Sequence, residues 1–586
     1  MDKLIKHKYF WPIATVLLSL PAIFFLLRPN IYFNMHDDMQ MIRQLELEKC
    51  LQDGQIPCRW TPDLGYGYGY PLFNFYPPMP YIVGQFFRSF GLSFVASIKA
   101  TAISQILLSS FFMYLLVSSI FGPIGGFISS LFYTYAPYHA LNIFVRGAMN
   151  EAWAAVFFPL IFYFSRKLVL DKKIKNLIGL SLSFTGLLLS HNPMALTFTP
   201  ILFVWVIFWI FHQYKKPFGT FIKKQTEIII KLILSGLLAT SLAAFYTFPV
   251  LLETKLVKIS TMFEGYYHFS VHFAGLYQLF ISNFWGDGAS VWGPNDDMSF
   301  MIGYLHWIIP VIILLYSLYI LFFNKKNKKK ISKIDFRFTL LMIMILMGLG
   351  TVFMTHNKST FIWLLLPIIQ KVQFPWRFLN HSVFLFSFSA GGLYLIFDRL
   401  LPKKKNIIAL ILGISVLLLN IKYFTPITYG PITDAQKFSG KAWINQVTSG
   451  IYDYLPKTAR IAALGPAKDY VDEIDPLDSF YTISNGKKGT DWMLFDLHLS
   501  RNSKVTLAQL AFPNFEVTSN GNIVPTEIEP ELGRLVVSLP SGDHQIMVKL
   551  KNTSVRSISN YISLISWVLL ILYLSKPLWL RLIYKK

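Results

Sequence analysis

The sequence predicts a polytopic α-helical membrane protein with about 12 spanning helices and a β-rich, sandwich-like domain before the last of them. Three observations predict it. First, the 586 residues are 54% apolar and 17% aromatic but only 15% charged, where a soluble protein carries about 25% charged residues. The apolar residues gather in runs of roughly 18 or more, each long enough to cross a ~30 Å hydrocarbon core. Second, the basic residues sit in short clusters between those runs. They are Lys3-Lys6-Lys8, Arg166-Lys167 with Lys172-Lys173-Lys175, Lys215-Lys216 with Lys223-Lys224, Lys325 to Lys330, and Lys403-Lys404-Lys405. This is the positive-inside distribution, and it places these turns in the cytoplasm. Third, the apolar runs stop near residue 425, and period-2 alternation replaces them up to about residue 556.

The clusters also account for the net charge of +23. No basic face belongs to a soluble domain, so nucleic acid is not an expected partner.

In chain order, helices are expected over 10–27, 93–117, 123–140, 148–165, 176–190, 194–212, 227–250, 300–323, 337–354, 376–398, 406–422 and 558–580. The first has a basic start and no small-residue cleavage site, and reads as an uncleaved signal anchor. Residues 77–90 are short and carry Arg88, and read as interfacial or partly re-entrant. Residues 359–370 read as a segment that dips into the membrane and returns. A long outer loop runs from 251 to 299. In the β-rich region, strands are expected over 492–499, 504–512, 534–539 and 545–550, with Asn520-Gly521 and Pro540-Ser541-Gly542-Asp543 as turns.

The loop from His36 to Tyr81 is too polar and too rich in Pro and Gly to span a bilayer, and too aromatic for a solvated linker. An ordered loop at the interface fits both facts. It opens on Asp37 and Asp38, then reads as one short helix over 39–52. Three roles are open to the two acids: a general base on a hydroxyl, ligands of a divalent cation, or caps for residues 39–42. Cys50 and Cys58 allow a bridge across the loop on an extracytoplasmic side. Two unpaired thiols is the preferred reading. The Gly-Tyr run 65–70 and Phe75-Tyr76 read either as stacking surfaces for sugar or lipid, or as packing of the loop onto the membrane. Asp296-Asp297, in the long outer loop, is a second acid pair and a less favoured metal or acceptor site.

Arg146 and Arg377 fall at outer helix ends. An arginine fork there suits a phosphate, or else anchors the helix by snorkelling. Trp376 fits both readings. Glu151 is placed to pair with Arg146, and His191 stands in an outer turn.

Several of these stretches together resemble a known family. They are His36-Asp37, Gly54-x-Ile56-Pro57-x-Arg59-Trp60, and Gly67-Tyr68-Gly69-Tyr70-Pro71-Leu72-Phe73-x-Phe75-Tyr76-x-Pro78. To these add Arg146 followed by Glu151, Ser190-His191-Asn192, and Gln373-Phe374-Pro375-Trp376-Arg377-Phe378. The chain resembles the bacterial multi-span membrane proteins called "6-pyruvoyl-tetrahydropterin synthase-related", is similar to the YfhO-like proteins, and through both looks like a GT-C glycosyltransferase.

The resemblance implies a GT-C-like transmembrane domain over 1–424 with a catalytic first outer loop at 28–75. The extracytoplasmic β-rich domain would cover 425–556, and the final helix and tail 557–586. It implies transfer of a sugar from a polyprenyl-phosphate donor to an extracytoplasmic glycan, lipid or protein, at the outer face of a bacterial cytoplasmic membrane. Asp37, with Asp38 beside it, would be the catalytic base. Arg146, Glu151, His191, Arg377, Arg59, Trp60 and Tyr76 would bind substrate. No cofactor is required, and a divalent cation, Mg or Mn, would sit at Asp37 and Asp38 if anywhere. Two alternatives stand beside it: a transporter or flippase of lipid-linked saccharides, and a non-catalytic membrane assembly protein.

Overall fold

A computed structural model describes residues 7, 9–213, 221–294, 296–323 and 335–583. The basic residues Lys3, Lys6 and Lys8, the lysines at 215–216 and 325–330, and Tyr584-Lys585-Lys586 lie outside the described residues.

Most of the described chain is helical. Among the described residues eight helices are long and apolar enough to cross a membrane, and three shorter apolar helices, Phe10–Ile23, Ile174–Ser190 and Tyr304–Ile320, accompany them. The protein is therefore built for a membrane.

Prolines and glycines mark several of the helix breaks, although the one at Ala243 has neither. The first α-helix, Phe10–Ser19, tightens into a 3-10 turn at Leu20–Ile23, short of the expected 27. Pro21 has no N–H to continue the α-helical ladder. The longest helix, Phe94–Thr134, has a non-helical residue at Gly122 (φ 79°, ψ 176°) just before Pro123, at the break between two expected helices. Its second half stops at Thr134, and Pro137 opens a separate helix, Pro137–Phe144. The helix expected over 227–250 divides into Phe221–Leu242 and Ala244–Glu253.

The chain forms two compact units, each assembled from distant stretches. One holds 1–38, 91–239 and 263–432; the other holds 39–90, 240–262 and 433–586. In the first, the helix Met149–Asp171 packs with Ile174–Ser190, Phe94–Thr134 and Asn192–Gln213. Stacked aromatic rings fill its interior, with Phe158 on Phe198 at 4.3 Å and Phe162 on Trp205 at 4.2 Å between centroids. A two-stranded ribbon, β1 (Ile31–Phe33) with β2 (Tyr429–Pro431), pairs antiparallel in this unit.

The second unit contains two antiparallel sheets. One has the strand order β3 (Val471–Asp475), β6 (Ser503–Leu510), β10 (Arg534–Leu539), β9 (Thr526–Ile528). The other runs β4 (Tyr481–Lys488), β5 (Trp492–Leu499), β11 (Gly542–Leu550), β7 (Phe515–Ser519), β8 (Asn522–Ile523). Their apolar faces share one core, including Phe495, Val505, Leu507, Val537 and Val548. Alternation put β5 at these limits from sequence, because a strand with one buried face alternates at period 2; β10 also has its expected limits, with all of its residues but Ser538 buried. Asn520 (φ 50°) and Gly521 (φ 81°) make the two-residue turn between β7 and β8.

The loop that follows the first helix supplies a second core to this unit. Trp60, Tyr68, Tyr70 and Phe75 are buried together with Tyr454, Leu510 and Phe512. The Gly-Tyr run therefore packs against protein rather than onto lipid or a sugar. Tyr68 donates to Asp472 (2.8 Å) and Tyr70 to the Gly450 carbonyl (2.9 Å). Gly69 sits at φ +85° directly against the Trp60 indole, where a Cβ would collide. Cys50 and Cys58 are bridged, which corrects the expectation of unpaired thiols.

Candidate functional site

The sequence candidates in the first unit converge on one carboxylate. Glu151 lies in the first turn of the helix Met149–Asp171 and is 1% exposed. Its Oε2 accepts from Arg146 Nη1 at 2.9 Å and stands 3.3 Å from Arg377 Nε. Its Oε1 accepts from the Tyr138 hydroxyl at 2.7 Å. Two guanidinium groups thus share one anion.

Each arginine is held from a second side. The Arg146 guanidinium lies over the Trp376 ring, 4.2 Å from its centroid, and donates to Asn142. Arg377 lies over Phe374 at 4.8 Å. Its Nη1 donates to the Val372 carbonyl (2.7 Å) and to Gln373 Oε1 (3.2 Å). Phe374 and Trp376 stack at 4.7 Å, so the Phe374-Pro375-Trp376-Arg377 turn grips both cations through aromatic faces. Asn380, one helical turn on, donates to the backbone carbonyl of Glu151 at 3.3 Å.

Asp37 is pinned beside this cluster through its backbone. The His36 N–H donates to the Val145 carbonyl at 2.9 Å and the Asp37 N–H to the Arg146 carbonyl at 3.0 Å. The turn that allows this is Gly147 (φ +66°). A Cβ there would strike Met35 and lie 2.9 Å from the Asp37 carbonyl oxygen. Asp37 and Asp38 are both half-buried. Tyr32 on β1 is close to the pair. Burial first, then the charges of Asp38 and Asp37, hold its phenol well above its ordinary pKa. His36 Nε2 is 2.6 Å from the Asp287 carbonyl oxygen, which ties the loop around Asp287 to the same place.

His191 belongs to the neighbourhood in a supporting role. Its Nδ1 accepts from the Met194 N–H at 3.2 Å, capping the helix Asn192–Gln213. Burial, and next the positive charge of Arg377, push its imidazole down to about 3.

Arg59, Trp60 and Tyr76 stand in the second unit. Arg59 donates to Asn74, to the Phe245 carbonyl and to Asn560, at 2.8, 3.0 and 2.7 Å. Trp60 is buried edge-on to Phe515. Tyr76 lies under the Arg43 guanidinium at 4.3 Å. Asp296, of the second acid pair, accepts from Gln278 (3.0 Å) and from Ser282, and so closes its own loop. Among the described residues no group of three or more His, Cys, Asp or Glu side chains gathers as a metal site. Asp37 and Asp38, adjacent in sequence, both act electrostatically on Tyr32.

Sequence reasoning missed Tyr138, Asn142, Gly147 and Tyr32. Asn142 precedes Arg146 by four residues, but Arg146 stands past the end of the helix Pro137–Phe144, so helical spacing gave no signal. The others had none either.

No known protein family's profile matches the chain. It is similar to an uncharacterized protein of Lactococcus lactis subsp. cremoris (strain MG1363), 23% identical over 258 residues, which are 43% of this chain. The matched stretch covers 41% of that relative's length.

Proposed function

We propose that the protein is a GT-C-like membrane glycosyltransferase that moves a sugar from a polyprenyl-phosphate donor to an extracytoplasmic glycan, lipid or protein. The observation that carries this reading is the backbone pairing of Asp37 with Arg146, whose guanidinium shares Glu151 with Arg377. It brings the Asp37 backbone to a pair of guanidinium groups. In the proposed reaction the acceptor hydroxyl attacks the anomeric carbon. The bond from that carbon to the phosphate oxygen breaks, and its electron pair leaves with the lipid phosphate. Asp37 takes the hydroxyl proton. Arg146 and Arg377 face the charge that develops on the phosphate, which is where fixed donors stabilise most. A Mg or Mn ion, if used, would be held by Asp37 and Asp38 and would offset phosphate charge.

The same proposal includes the GT-C-like topology and an outward-facing site in a bacterial cytoplasmic membrane. Counting the broken helix Phe94–Thr134 as two spans, and adding the three shorter apolar helices to the eight long ones, gives 12. One observation favours the transporter reading instead: His139, His306 and His381 are buried within the helical unit, and ionisable residues inside a helix bundle often line a pathway.

The test is sugar transfer from polyprenyl-phosphate donor in membranes carrying each variant at matched protein level. General-base help is worth about 10²–10⁴-fold, so Asp37→Asn should lower the rate by that order. Asp38→Asn should cost less, unless the pair holds a metal, in which case both are severe and chelators inhibit. Normal transfer by Asp37→Asn with an inactive Asp38→Asn reassigns the base. Normal transfer by both removes this loop from the chemistry.

A further inference from the structure

Between the apolar helices Phe336–Thr355 and Pro375–Leu400 the chain folds a short hairpin. It consists of a 3-10 turn Asn357–Ser359, a helix Thr360–Leu365 and a helix Pro367–Gln370. Its inner side is firmly anchored. Trp363 is fully buried and stacks on Phe269 with centroids 5.2 Å apart. The Trp363 indole N–H donates to the Met354 carbonyl at 3.2 Å, and Gln370 closes the hairpin by donating to the Trp363 carbonyl at 2.9 Å. Val372 and Phe378 complete this small core.

The outer side is the reverse. Phe361, Leu364 and Leu365 are 63%, 62% and 74% exposed, and Leu366 and Ile368 are exposed beside them. Lys358 and Lys371 are exposed at the two ends. A group of exposed apolar side chains held in place by the fold marks an interaction surface. The tryptophan anchor makes the face a fixed feature of the fold, not a frayed loop.

We propose that residues 357–372 form a membrane-docking hairpin whose occupant is the bilayer itself. The apolar crown lies in the outer part of the acyl region, and Lys358 and Lys371 lie at the level of anionic headgroups. Three features select lipid. The hairpin joins two apolar helices of spanning length, so the chain emerges from the membrane at one end of it and re-enters at the other. Phe361, Leu364 and Leu365 are exposed at i, i+3 and i+4 of one helix, the spacing of a single face, as in helices that lie in the interface plane. The flanking charges are both positive, which complements anionic lipid. The hairpin also ends where the candidate site begins, since Val372 and Gln373 accept from Arg377. Docking therefore fixes the depth of that guanidinium.

The test uses the full chain with Leu365→Cys. Cys50 and Cys58 are bridged, so the new thiol takes a fluorophore selectively. The labelled protein is placed in phosphatidylglycerol–phosphatidylethanolamine vesicles that carry a nitroxide high on one acyl chain. Nitroxide lipid should quench the label by about two-fold or more while aqueous iodide does not, as for a group in the acyl region. A label at Leu477→Cys, a position 92% exposed in the β-rich region, should show the opposite. Pure phosphatidylcholine, or the double variant Lys358→Glu with Lys371→Glu, should reduce the nitroxide quenching at Leu365→Cys. Iodide quenching equal to that at the Leu477→Cys control would overturn the proposal. So would shielding from both quenchers, which would mean that protein, such as a second copy, covers the face. Quenching indifferent to lipid charge and to the lysine changes would overturn the assignment to anionic lipid.

Discussion

At the scale of single residues, Gly147 and Glu46 show how backbone and burial set what a side chain can do. Gly147 turns the chain at φ +66° so that Arg146 can accept the Asp37 N–H. Gly147→Ala introduces a Cβ into the Asp37 carbonyl at a left-handed position, a strain of about 1–3 kcal/mol. The proposed transfer activity should fall sharply while expression and the helical circular-dichroism signal persist, because the displaced groups are the half-buried Met35 side chain and the Asp37 backbone rather than a fully buried core side chain. Glu46 is fully buried in the helix Gln40–Gln52. Burial, then the negative charge of Asp63, raises its carboxyl well above the usual 4.5, with Lys49 opposing. The folded state therefore keeps a proton that the unfolded chain releases above that value. The unfolded state then binds fewer protons, so stability falls as pH rises from about 4.5 toward the raised value. Glu46→Gln should flatten this slope, read as an apparent melting temperature that declines less between about pH 5 and pH 8.

At the scale of elements, a buried carboxylate ties together parts of the second unit. Glu253 ends the helix Ala244–Glu253 and accepts from Arg556 (2.8 Å), Thr553 (2.6 Å) and Asn74 (2.9 Å). Arg556 and Thr553 sit at the start of the helix Ser554–Ile583, and Asn74 in turn holds Arg59. One buried carboxylate thus joins two helices and the loop that carries Asn74 and Arg59. Glu253→Gln would leave two buried guanidinium groups without their anion. Breaking a buried pair on one side costs about 3–5 kcal/mol, so this variant should show a large drop in melting temperature in detergent. Glu531→Gln, which loses only the exposed pair with Arg460, should melt like the unmodified protein, because exposed pairs contribute little. Equal melting of the Glu253→Gln and Glu531→Gln variants would refute the structural role given to Glu253.

At the scale of the whole molecule, the distribution of lysine and arginine predicts orientation. The loops near 170, 220, 328 and 404 should face the cytoplasm, and 28–75, 251–299 and 425–556 the outside. Single cysteines introduced at 171 and 404 should react with an impermeant maleimide only in opened cells, and one at 477 in intact cells. Labelling of 404 from outside would reverse the assignment.

The sequence by itself determined the class of protein, the approximate helices and the strand β5. These follow from local periodicity and from the number of apolar residues needed to cross a bilayer, which neighbours in the chain carry. It also offered Asp37, Arg146, Glu151 and Arg377 as residues of interest, because charge at the end of an apolar run is conspicuous. Only the tertiary structure decided that Arg146 and Arg377 share Glu151, and that Gly147 brings Asp37 to the Arg146 backbone. It alone put the Gly-Tyr run into a protein core, Arg59 and Trp60 in a different unit from Arg146, and Cys50 against Cys58. The physical reason is the same each time. An aromatic side chain or an arginine is equally at home against lipid, sugar, phosphate or another side chain. Which of these it meets depends on residues brought together by packing from distant parts of the chain.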